Sequence, residues 1–549
     1  MIIGNRRWLA PLVLLSMLLV VTVFVFGCGG SKSSPQGSDK AAQVPSEPVK
    51  GGVARIGLSS DPGTLDPHTT TSPASYAVRK NFLEGLLTWD ENVNVKPSLA
   101  DSWEVSPDGK TYTFKLRKGV KFHNGKDFTA AAVKWNFERI LKVSPRKGDY
   151  SMISNIETVD QNTVKFNLKQ PSVSFLSSIG LTGFCEIIEP EDSEQQIAKY
   201  GSVLKPVGTG VFQLVSYTPG SEAKLKRYEG YIPRSEPFKG LSGKRVAYLD
   251  ELVFLPKTDA SARLMAFESG DIDYLNDVPP QSFSRVKNMP NTVLVEMPGS
   301  DWGALYFNCS KKPFDNVKGR QAIAAALNYK EIADATFWGH GVVNNSPICM
   351  VQKDWRSPVH DKIHQFSQER AKQLLKEAGY NGEEIVFLNT KGDRNDKTAI
   401  AIQSQLEKIG VKVKIETMEL GAYLEAVYAR RYKKMPQWDL VALTKSAFRP
   451  DPDQHYYERM HSSTNAGYYS NPAADKIVTE ARNVADFSKR KQLYEQAQQL
   501  LMEDVPFIKL YDNPFMEAYK SHLKGLDQLN DPQGPYFFNV WIDKGGKGK

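Results

Sequence analysis

The sequence predicts an α/β protein with more than one domain, and three observations predict it. The chain has 549 residues, more than one core of ordinary size holds. Asp108-Gly109 sits between two runs of alternating apolar and polar residues, the strongest short-range sign of a β-hairpin. In the second half, strand, helix and strand patterns follow one another, the order of a βαβ unit. Hydrophobic residues at 41% and charged residues at 24% are ordinary for a globular chain.

The elements follow in order. "MIIGNRR" is a positive start and "WLAPLVLLSMLLVVTVFVFG" an uncharged apolar run, the pattern of an export signal. An uncleaved membrane span is the alternative for a run of that length. Val25, Phe26, Gly27 and Cys28 resemble a bacterial lipobox, in which the Cys is diacylated and becomes the new N-terminus. Phe26 is bulkier than the usual residue there. The Ser-, Gly-, Pro- and Lys-rich stretch after Cys28 buries no core and is expected to be a flexible tether. "GGVARIGLSS" is the first strand, and "DPGTLDPHTTTSP" a loop dense in turn formers. "YAVRKNFLEGLLTWDE" is expected to be an amphipathic helix running into an extended segment. "SWEVSPDGKTYTFKLRKGVKF" is the hairpin, "HNGK" a second turn, and "DFTAAAVKWNFERIL" a helix capped by Thr129.

In the second half, "SQERAKQLLKEAG" places Ala371, Leu374, Leu375 and Ala378 at helical spacing. Ser367 is its N-cap and Gly379 its stop. "EEIVFLN" is a strand, "AIAIQSQLEKIG" a helix ended by Gly410, and "VKVKIETM" an alternating strand. "SKRKQLYEQAQQLLMED" is a late amphipathic helix followed by the apolar "VPFIKLY". "KGGKGK" is a disordered tail.

The composition excludes several functions. The net charge of +8 includes Arg6 and Arg7 of the leader, and the remaining charges are interleaved. The run Arg430, Arg431, Lys433, Lys434 is a solvated helix end rather than a nucleic-acid patch. The four Cys (28, 185, 309, 349) lack metal or redox spacing; after Cys28, the other three are expected to be mostly buried small hydrophobes. No metal site and no cofactor are expected. His455 and His461 are six apart, so they do not share a helix face. No H-E-x-x-H, G-x-S-x-G, Walker or dinucleotide motif occurs, and an enzyme is not expected.

The signature stretch "PSLADSWEVSPDGKTYTFKLRKGVKFHNGKDFTAAAVKW", with "LSSDPGTLDP", "FLEGLLTWD", "MAFESGDIDYL" and "YFNCSKKPFDNVKGRQAIAAALNYKEI", resembles the family 5 extracytoplasmic solute-binding proteins of peptide and nickel ABC importers. The resemblance runs over about residues 50 to 540. It implies a two-lobed periplasmic-binding-protein fold, type II, with an extra subdomain in a discontinuous lobe I. It divides the chain into a signal peptide (1–27), a lipidated Cys with its linker (28–50), lobe I (51–302), lobe II (303–508), a return to lobe I (509–543) and a tail (544–549). The linking strands fall near Gly303 to Asn308 and Phe507 to Tyr511.

The resemblance also implies a role. A lipid-anchored receptor, facing the periplasm or the cell exterior, captures a peptide between its lobes and hands it to permease subunits driven by ATPases. A monomer without nucleic-acid partners is expected. The alternatives are the same role for a nickel chelate or an oligosaccharide, or a surface hydrolase. Lobe I is implied to contribute Ser59, Ser60 and Asp61, for which turn capping is the competing role, and the linker Trp302, for which interlobe packing is. Lobe II is implied to contribute Trp355, Arg394 as a grip for a carboxylate, and Ser446, Phe448 and Arg449. Dipeptide-binding relatives carry an Asp upstream of D-P-D that holds the ligand's α-amino group. Here that stretch is "TKSAFRP", without an acid. Its absence argues against a free dipeptide, and Lys445 or Arg449 would favour an anionic group. Asp451 and Asp453 match the D-P-D element and are expected to be structural.

Overall fold

The computed structural model describes residues 47–180, 183–427, 437–446, 451–526 and 536–543. Cys28 and its tether up to residue 46, the basic run at 430–434, Phe448, Arg449 and the tail at 544–549 lie outside the described residues. No described helix is long and apolar enough to cross a membrane.

One mixed sheet organises the body. Its order is Lys412–Met418, Glu384–Thr390, Leu440–Ser446, Thr292–Phe307, Phe507–Lys520, Tyr274–Leu275, Val53–Leu58, Glu251–Pro256, Glu222–Arg227, Phe212–Thr218. The βαβ expectation holds: Glu384–Thr390 and Lys412–Met418 pair in parallel through the helix Asp393–Glu407. The Asp108-Gly109 hairpin forms with Val105 opposite Tyr112. Gly109 supplies the φ of +68° that the turn needs. With Ile153–Asp160 and Thr163–Leu168, the hairpin makes a separate four-stranded sheet, whose core includes Phe114, Phe137 and Phe166. Thr129 Oγ1 accepts from Ala132 N at 3.4 Å, and Ser367 Oγ from Arg370 N at 3.2 Å, so both caps are as expected.

Two differences are physical. The expected helix after Tyr76 is short, Pro73–Arg79, because Arg79 and Lys80 turn inward. Arg79 meets Glu186 at 3.5 Å with both side chains buried, and Lys80 lies over the Tyr76 and Tyr536 rings. The helix expected to start near Ala399 begins at Asp393. Asp393 and Asp396 in its first turn complement the positive end of the helix, so Arg394 sits on a helix and not in a loop.

Thr292–Phe307 and Phe507–Lys520 are longer than the linking segments expected. Thr292–Pro298 pairs with Pro514–Lys520, then the register shifts, and Trp302–Tyr306 pairs with Phe507–Asp512. One half of each strand therefore belongs to the sheet region around Val53–Leu58 and the other to the region around Leu440–Ser446. Pro298 faces Pro514 at the break; two prolines there remove two ladder donors.

Burial pushes the imidazoles of His68, His123, His360 and His364 down to about 4. The unfolded chain, with ordinary imidazoles, binds more protons than the fold between about pH 6.5 and about 4. Stability is therefore fully present above that window and falls as pH drops through it. Thermal melting across the window should show the midpoint falling with acid. A flat profile would mean that these rings are protonated in the fold.

Candidate functional site

The first strand delivers Ser59 to its C-terminal end. Ser59 Oγ donates to Asn276 Oδ1 at 3.1 Å, and Asn276 Nδ2 donates to Glu517 Oε1 at 2.6 Å. Asn276 follows Tyr274–Leu275, and its own N–H closes on Gly57 O at 3.1 Å. Glu517 is buried on the second long strand. A buried carboxylate needs such donors, so the chain of bonds fixes Ser59 between the loop and the strand.

Asp61 serves a turn. It accepts from Gly63 N at 2.7 Å, Gly220 N at 2.6 Å and Tyr217 Oη at 3.0 Å. Burial opposes its charge, but those donors hold its carboxyl below the usual range. Ser60 is exposed beside it.

On the other half, Trp302 is fully buried beside the register break. Its ring packs on Phe507 at 6.3 Å and meets the edge of His455 at 5.4 Å. The Arg459 guanidinium stands 4.6 Å from its centroid. Lys509, also buried, approaches the ring at 5.3 Å and pairs with Asp512 at 2.5 Å. Asp512 also accepts from Asn344 Nδ2 at 2.9 Å and Met350 N at 3.1 Å. Trp302 stands opposite Ser446, the last residue of its strand, in the register. Trp355 packs against Phe487 at 4.6 Å and Tyr494 at 5.7 Å.

Arg394 reaches across. Its Nη2 donates to Asp277 Oδ1 at 2.8 Å, and its guanidinium lies 5.7 Å from the Phe337 ring. Asp277 follows Asn276 directly, so the structure brings Ser59 and Arg394 to one rim. Asn276, Asp277 and Glu517 were not singled out in the sequence. Asn276 and Asp277 directly follow the "MAFESGDIDYL" element, which was the available signal.

Asp451 and Asp453 are structural. Arg490 grips Asp451 with two nitrogens, at 2.6 and 2.8 Å, and Arg482 holds Asp453 at 3.0 Å. Cys185 and Cys349 are buried and Cys309 is half-buried, and none of the three is in a disulfide. No cluster of metal-ligating side chains occurs among the described residues.

Residues 94–467 match the model of the bacterial extracellular solute-binding proteins, family 5. The chain belongs to that family. This family 5 protein is 30% identical over 498 residues to the glutathione-binding protein GsiB of Salmonella typhimurium, covering 86% of its own length and 91% of the relative. It is 28% identical to the oligopeptide-binding protein AppA of Bacillus subtilis, over 94% and 97% of the two chains. Two solved structures of like fold are DppA of Helicobacter pylori with the peptide STSA and the agropinic-acid complex of AgaA from A. tumefaciens. The first has a TM-score of 0.74, with 28% identity over 90% of this chain and 99% of that one. The second has a TM-score of 0.72, with 28% identity over the same shares. The family 5 protein is thus a two-lobed extracytoplasmic solute-binding protein, not an enzyme.

Proposed function

We propose that the protein is the lipid-anchored peptide receptor of an ABC importer, closing its two lobes on the solute and presenting it to a permease. The carrying observation is the pair of long strands whose mutual pairing shifts register between Pro298 and Trp302 and again between Gly303 and Ala304; in this reading they are the links between the lobes. Such a joint lets each lobe move as a body. The peptide part is supported by the relatives that bind glutathione and oligopeptides. Because "TKSAFRP" has no acid, peptides held through their backbone suit it better than free dipeptides.

The site residues proposed are Ser59, Ser60 and Asp61 of lobe I, Trp302 at the linker, and Trp355, Arg394, Ser446, Phe448 and Arg449 of lobe II. The division into lobe I (51–302 and 509–543) and lobe II (303–508) belongs to the same proposal. The register break lies within a few residues of those bounds. Swinging the lobes from 1:99 to 99:1 takes a preference of about 5.5 kcal/mol for the closed form, so contacts from both lobes are needed.

A thermal-shift screen with glutathione, dipeptides, tripeptides and a nonapeptide tests the solute class. A true solute at a hundred times its Kd should add about 2.7 kcal/mol of stability. No shift with any peptide sinks the peptide reading. Agropinic acid belongs in the same screen, because AgaA, with that solute bound, shares this fold at equal identity.

The anchor is tested separately. Cys28→Ala should accumulate as an uncleaved precursor that takes up no labelled palmitate. Normal processing and labelling of that variant would overturn the lipoprotein reading. A lipid anchor followed by a loose tether would hold the receptor beside its permease while leaving the lobes free to move.

A further inference from the structure

Three of the polar side-chain contacts between the two lobes lie close to the solute-facing turns or the linking strands. Arg394 Nη2 meets Asp277 Oδ1 at 2.8 Å. Asn94 Nδ2 donates to Asp354 Oδ2 at 2.9 Å. His340 Nδ1 lies 2.9 Å from Glu296 Oε1, with its ring 4.2 Å from that of Phe283. In each pair one residue belongs to the lobe of the first strand and the other to the lobe of Leu440–Ser446.

The first contact is built from both sides. Arg263 is buried, and its guanidinium and Nε donate to the carbonyls of Lys257, Asn276 and Asp277 at 2.6, 3.1 and 3.2 Å. That ties down the turn carrying Asp277, whose φ is +57°, a left-handed conformation that Asp tolerates better than most residues. Its carboxylate is thereby aimed at the other lobe. Opposite, Arg394 rises from the first turn of a fifteen-residue helix and packs against Phe337. Three residues on, Lys397 Nζ lies 3.3 Å from the Trp338 centroid, and Trp338 leads through Gly339 to His340. The Arg394 and His340 contacts are therefore presented by one stretch of lobe II surface.

We propose that Arg394 and Asp277 form a clasp that holds the lobes together whatever the solute, so that Arg394 sets the open–closed balance rather than gripping a solute carboxylate. Its charge is already met by Asp277, and the side chains are 31% and 45% exposed. A pair so exposed to water is individually weak. It suits a balance that must still reverse on every cycle. A clasp shifts the affinity for every solute by the same factor, as the population of competent protein requires. A solute grip would alter affinity only for solutes bearing the gripped group.

The proposal rests on the closing receptor above. Its test uses solute-free protein, so an error in the solute class leaves it standing. Small-angle scattering of the purified protein should show the open fraction rising about three- to ten-fold in Arg394→Glu, where attraction becomes repulsion, and less in Arg394→Gln. Asp277→Asn keeps a residue that accepts positive φ. It should open the protein about as much as Arg394→Gln, with no further opening in the double variant. Combined with Arg394→Glu, it should remove the extra opening. Scattering of Arg394→Glu identical to the parent, or opening by Arg394→Glu that Asp277→Asn does not reduce, would overturn the clasp. Melting curves matching the parent confirm that each variant is folded.

Discussion

Asp451→Asn is expected to destabilise the protein by about 3–5 kcal/mol, the usual cost of stripping one partner from a buried ion pair. Asp451 and Arg490 are each only 6% exposed. The Arg490 Nε–H is already taken by Ala481 O at 2.8 Å. The amide would offer the guanidinium one neutral oxygen in place of two charged ones, beside the neutral Tyr494 Oη at 3.0 Å. Replacing both partners together, Asp451→Leu with Arg490→Met, should cost less than either single change, because no orphan charge remains. Denaturant midpoints of the three variants check this. A single variant as stable as the parent would show that the pair is not desolvated.

Gly299→Val should disturb the joint between the lobes. A Cβ built on Gly299 would stand 2.1 Å from Asn513 O, a backbone atom of the other linking strand. No side-chain rotation relieves that clash, so the strands must separate at the break. Overpacking of this kind costs about 1–3 kcal/mol, and here it also changes the angle between the lobes. Solute affinity should fall and the solute-free scattering curve should shift. Gly421→Ala is the control, because nothing lies within 4 Å of its added Cβ and Ala favours a helix. Equal scattering for Gly299→Val and the parent would place the joint elsewhere.

Much of the fold was legible because its signals are local. The Asp108-Gly109 turn, the Thr129 and Ser367 caps and the parallel βαβ unit depend on residues a few places apart, and each forms as its pattern dictates. The length of the linking strands was not legible. Pro298, Gly299 and Pro514 look like strand ends, and only pairing with each other carries the strands through the break. Arg394 looked like a loop residue because Gly392 precedes its helix and Asp393 and Asn395 stand in the first turn, all poor interior formers suited to a helix start. The clasp was illegible for a different reason. Asp277 and Arg394 lie 117 positions apart, and Asn94 and Asp354 lie 260 apart. Neither pair leaves a mark in local pattern. Trp302 was singled out for its residue type and its place near the linker. Its placement, sealed against Phe507 and Arg459, depends on strand register.

The central claim is that this receptor closes on a small peptide. Native mass spectrometry of the protein, gently purified from the cells that export it, tests that most directly. The account predicts a folded species heavier than the bare chain by the mass of one peptide, with the excess lost on unfolding. A folded species at the bare mass, unchanged after incubation with glutathione, tripeptide or nonapeptide, would contradict it.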